Sequence, residues 1–186
     1  MPELTDYSGE YKPDIKYEDF SKDFLIKLMN IWRWAYMRVP GFWFEEVSKR
    51  FGAEAAESIN DVVWTEIGQK IVPKFARVAN IELNTVLDSL KLMDMCPDSK
   101  VGSDWFDGTV DIINENHVRA TTTYCRLLES YERSAPERIP HVCGEMEKKT
   151  MERYFNNPRI KITALKLPPR KSADEICCKW EFKIEE

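Results

Sequence analysis

Three thiols and one imidazole carry most of the reactive chemistry in this chain: Cys125, Cys143, Cys178 and His141. A cysteine attacks or ligates as its thiolate, so it needs a helix N-terminus, a cation or a base beside it. Cys143 lies where a helix should begin, close to His141 and Arg138. That makes Cys143 the nucleophile candidate and His141 the general base. Cys178 is the second thiol candidate, although a buried cysteine often serves only as a small hydrophobe. Glu46 is a further proton carrier, whereas Glu45 is explained by the favourable dipole of a helix start.

The same sulfur atoms allow a metal reading. Thiolates and imidazole suit zinc, so Cys125, Cys143 and Cys178, with His141, form a candidate set for zinc or another divalent metal. The set has no Cys-x-x-Cys pair and depends on convergence in space. Cys177 is expected to point outward and to be incidental. His117 is expected on a strand near a turn, exposed and inert, and Glu145 and Glu147 on a solvated helix face. Trp43, Trp64, Trp180 and Tyr124 are candidate walls for a small-molecule ligand. Filling the core is the competing use of such rings.

These residues must be positioned by two kinds of element. From Ile176 to Ile184, apolar residues alternate with Cys177, Lys179, Glu181 and Lys183, the pattern of a strand covered on one face. Thr109 to Ile113 and His117 to Leu127 flank Asn114-Glu115-Asn116, a hairpin signal. A charged spacer then leads to a helix from Pro140 to Phe155, and Ile160 to Leu167 alternates as another strand. The first half reads as helices: Ser21 to Val39, broken at Pro40-Gly41, then Phe42 to Phe51, then from Ala53 until Pro73 kinks or ends it, then Glu82 to Leu92. Residues 1 to 20 read as an extended arm, and 93 to 107, with Gly102, as a loop. The expected fold is α+β: residues 21–92 form a helical layer on a four-stranded antiparallel sheet, built from a ββαββ unit over 108–186, in a single domain.

Composition narrows the partners. Charged residues make up 32% of 186 and the net charge is −5, the balance of a soluble globular protein. With no Lys/Arg stripe to track phosphates, a nucleic-acid partner is not expected. The apolar stretch from Ile31 to Phe44 is broken by Arg33, Arg38 and Pro40, so no membrane span is expected. The first residues lack the basic start and apolar run of a signal peptide, which points to the cytoplasm and to reduced cysteines. A homodimer stays open.

Several short stretches together resemble a known family: Gly41-Phe42-Trp43-Phe44-Glu45-Glu46, Phe51-Gly52, Val63-Trp64, Tyr124-Cys125-Arg126, Cys143, Leu167-Pro168-Pro169 and Cys178-Lys179-Trp180-Glu181-Phe182. They resemble the L-2-amino-thiazoline-4-carboxylate hydrolase-like family and its related family of unknown function from anaerobes, over about Ser21 to Phe182. The C-terminal half is also similar to the vinyl-4-reductase domain, whose ββαββ unit ends in a Cys-x-Phe-type strand. The first resemblance implies hydrolytic opening of a cyclic C=N or C–S ring. The second implies ligand or metal binding without turnover. Cys143-Gly144-Glu145 places Glu where the hydrolase-like proteins more usually carry Asp.

Overall fold

The computed structural model describes residues 3–99, 101 and 105–185. Met1 and Pro2 of the expected arm, and Gly102 of the expected loop, lie outside the described residues. Ser21 accepts a hydrogen bond from the Phe24 amide at 3.2 Å and caps α1, Lys22–Phe51. One continuous helix therefore replaces the two expected on either side of Pro40-Gly41. A proline removes one helical hydrogen bond and crowds the preceding turn. Here α1 packs along the next helix on both sides of Pro40, with Tyr36 edge-on to Trp64 at 6.0 Å before it and Val47 buried after it. That continuous packing outweighs the local cost.

Gly52, at φ 90°, turns the chain into α2, Ala53–Ala79. α2 likewise runs through Pro73, the expected stop, and ends at Asn80 in the left-handed conformation. α3, Val86–Met93, starts later than expected because Thr85 and Asp88 form a reciprocal capping box.

The sheet among the described residues comprises β1 (Phe106–Asn114), β2 (His117–Cys125), β3 (Ile160–Lys166) and β4 (Cys178–Ile184), ordered β1-β2-β4-β3 with every pair antiparallel. The fold is therefore α+β, as expected. Gly108 sits at an irregularity of the β1–β2 ladder, where a Cβ would overlap the Thr121 carbonyl oxygen. Between β2 and β3 the chain departs from its expected course. Arg126–Ser134 forms a helix, α4, where a strand end and a charged spacer were read. His141–Met146 then makes a π-helical turn that feeds α5, Glu147–Phe155.

Register places Val118, Phe182 and Ile162 side by side, with Ala120, Trp180 and Ala164 in the next row. This face packs against Val86 of α3 and against Met151 and Phe155 of α5. The opposite face is polar, and there Glu181 accepts from Arg119 at 2.8 Å and pairs with His117 at 2.9 Å. α2 lies on α5, and α1 lies on α2. The α2–α5 approach depends on Gly68, where a Cβ would stand 2.5 Å from the Tyr154 ring. Among the described residues, no helix is long and apolar enough to cross a membrane.

Candidate functional site

The thiols gather where β2 ends, the π turn begins and β4 starts. Cys125 terminates β2, and its sulfur accepts from the Leu128 amide at 3.3 Å, so it acts as the N-cap of α4. Cys125 and Cys143 pack against the buried cluster of Leu128, Ile139 and Cys177. Cys177 is not incidental: it is 1% exposed, donates to the Thr123 carbonyl at 3.4 Å and receives Arg170 Nη1 at 3.7 Å. The expected alternation fails there because the strand begins only at Cys178, so Cys177 lies in a bend outside it. Arg170, with a side chain 5% exposed, is held in turn by a two-pronged ion pair to Glu132, at 2.9 and 2.5 Å. Cys178 packs against the main sheet core.

Burial is the first cause acting on each thiol, and it opposes ionisation throughout. Cys125 and Cys143 are pushed up to about 12, and Cys177 and Cys178 are also raised. The other acidic groups of the cluster add to this at Cys125, Cys143 and Cys178, each of which feels Glu147. Arg138, expected to favour a Cys143 thiolate, instead donates to Glu57 at 3.1 Å and lies over the Phe44 ring at 3.7 Å. His141 pairs with Asp61 of α2 at 3.1 Å, and its other nitrogen is 3.6 Å from Glu145. It ties the π turn to α2.

Glu147, expected on a solvated helix face, is the group that joins these parts. It stands at the first position of α5 and within electrostatic reach of three thiols on one side and Asp98 on the other. Its side chain is exposed, yet enough protein surrounds the carboxyl that burial, then Asp98, push it up to about 7. Burial also raises Asp98, against the pull of Arg33. Tyr36 of α1 and Tyr154 of α5 are near enough to influence each other, and burial raises both phenols. Thr150 is on the same α5 face as Glu147 and Tyr154, and its buried hydroxyl oxygen has no hydrogen-bond partner among the described residues. Trp64 donates to Asn60 at 3.1 Å, and Asn60 reaches the Met146 sulfur at 3.2 Å.

The remaining predicted residues lie elsewhere. Glu46 is exposed and pairs with Lys49 and Arg50 along its own helix. Trp43 is 64% exposed, and Trp180 is buried in the sheet core. Tyr124 is half-buried opposite Asp107 at the end of β2. Of the four proposed walls, Trp64 packs on the Tyr36 ring, and Trp180 lies in the core that Cys178 packs against. Among the described residues, no group of three or more His, Cys, Asp or Glu side chains is arranged to hold a metal ion. Cys125, Cys143 and Cys178 therefore do not form the expected ligand set, and Cys125 instead directs its sulfur to a backbone amide. A separate open groove of about 660 Å³, lined by Thr65, Gln69, Lys149 and Arg153 among others, contains none of the predicted site residues.

Residues 18–184 match the model of a family of unknown function, DUF6125. The chain belongs to that family. No curated protein and no solved structure matches it. The matched span covers α1 through β4, so the thiol cluster, Glu147 and Asp98 all fall inside the DUF6125 region.

Proposed function

We propose that the protein binds a small organic molecule, without turnover, in a recess at the start of α5, with Glu147 as its anchoring group. What supports this is the position of Glu147, exposed at the start of α5 and within electrostatic reach of the thiol cluster and Asp98. The uncharged thiols serve this reading as soft apolar walls, while Tyr154 and Thr150 supply hydroxyls on the Glu147 face of α5. The likeness of the C-terminal half to the vinyl-4-reductase domain points the same way. A cytoplasmic location, which would keep the five cysteines reduced, belongs to this reading.

Native mass spectrometry of the protein purified without denaturant tests it, together with the Glu147→Gln variant. The expected result is a low-mass adduct on the wild type that is at least about tenfold weaker in the variant. No adduct, combined with no NMR shift at Thr150 or Tyr154 across a fragment library, refutes it.

A second reading is favoured by the Glu147 carboxyl being half-protonated near neutral pH, as a proton carrier needs. This is a hydrolase-like enzyme that opens a cyclic C=N or C–S ring, with Glu147 rather than a cysteine moving the proton. Ring-opened product from a thiazoline carboxylate, formed about 100-fold more slowly by Glu147→Gln, distinguishes it from binding alone.

A further inference from the structure

We propose that the outer surface of the α1–α2 hairpin is the interface with a second copy of this chain, which closes a bundle of four helices. α1 shares substantial packing only with α2 among the described residues, yet it is apolar on more than the side that α2 covers. Its helical period puts Met29, Trp32, Val39 and Trp43 on one flank, and Ile31, Trp34 and Phe42 on the back. A helix that is apolar nearly all round belongs in an interior.

The area of the flank is that of an interface. Trp32 and Trp43 are 50% and 64% exposed. At roughly 150–250 Å² per ring they leave about 170–290 Å² uncovered. Met29 and Val39, with Ile59 and Val63 of α2, are also about half exposed or more. Together they bring the surface to the order of 600 Å², the lower end of what each partner of a stable dimer contributes. The Tyr36–Trp64 contact sets the antiparallel register, so Val39 and Trp43 lie level with Ile59 and Val63.

Charge does not oppose the pairing. Between Leu25 and Trp43 that flank of α1 carries no charged residue, as the core of an interface requires, while Glu57 and Asp61 of α2 are turned inward onto Arg138 and His141.

Light scattering and sedimentation velocity of the full chain, from about 1 to 100 µM, test this. The expected mass is twice the 21.9 kDa of one chain. Val39→Glu combined with Trp43→Glu should raise the dimer dissociation constant at least about 100-fold with an unchanged circular-dichroism melt, and Lys161→Glu should leave the constant unaltered. A monomer at about 100 µM, or a dimer that survives the double variant, overturns the proposal. If the double variant folds poorly, hydrogen exchange of the wild type decides: protection in α1 and α2 must rise with concentration, and flat protection overturns it.

Discussion

Replacing Glu147 by Gln removes a carboxyl that the fold holds near neutrality, and its effect on stability has a sign that can be worked out. In the unfolded chain this carboxyl ionises near 4.5, whereas in the native recess it does so at about 7. Between those values the native state holds a proton that the unfolded chain has released, so stability falls as pH rises. The contribution is fully present below about pH 4.5 and is lost by the time the pH passes 7. The side chain keeps water-accessible surface, and screening reduces the energy to about 1–2 kcal/mol. Asp98, also raised, and the neutral thiols Cys125, Cys143 and Cys178 are present in both proteins and largely cancel in the difference. Urea unfolding of wild type and Glu147→Gln should therefore coincide near pH 4.5, with the variant about 1–2 kcal/mol more stable at pH 8. A difference that is flat with pH, or a wild type that is the more stable at pH 8, would refute the recess as the origin of the shift.

Other expectations follow from the same contacts. Iodoacetamide at pH 7.4 should label Cys125 and Cys143 at least about 100-fold more slowly than the unfolded chain, because burial holds both near 12, and one fast thiol in the native protein would reverse that view. Arg170→Ala should cost about 2 kcal/mol in urea unfolding, since it strands Glu132 and removes the cation beside Cys177. Gly68→Ala should lower stability by at least about 1 kcal/mol by driving a methyl into the Tyr154 ring. Gly41→Ala, with open space around it in α1, should instead stabilise by about 0.5–1 kcal/mol, and thermal melts of the pair read both signs.

The sheet was legible because a half-covered strand writes its own geometry into every second residue, as Trp180 and Phe182 do against Lys179 and Glu181. Proline and cysteine misled for a physical reason. Pro40 and Pro73 are local stop signals, but tertiary packing along the hairpin outbids a local cost, and no single helix reveals its neighbour. α4 escaped notice because its N-cap is a thiol, outside the usual capping set, and its inward residues are few, Leu128 and Tyr131 chief among them. The spacing of Leu128 and Tyr131 was the available signal. That Cys125 and Cys143 pack on one buried cluster, and do so as protonated groups, depends on topology and enclosure, which periodicity does not report. Glu147 was set aside with Glu145 as part of a solvated face, since charged residues at a helix start are ordinarily solvated.

The π turn from His141 to Met146 has a consequence for how one short helix can serve two surfaces. A turn wound with a wider bonding interval lets side chains before it follow one angular phase and those after it another. Cys143 thereby packs with α4 and the bend before β4, while Met151, Tyr154 and Phe155 address the sheet and α2. Glu147 occupies the seam between the two phases. Shortening that turn by one residue would swing the carboxylate by about 100° about the helix axis and empty the recess of its acid.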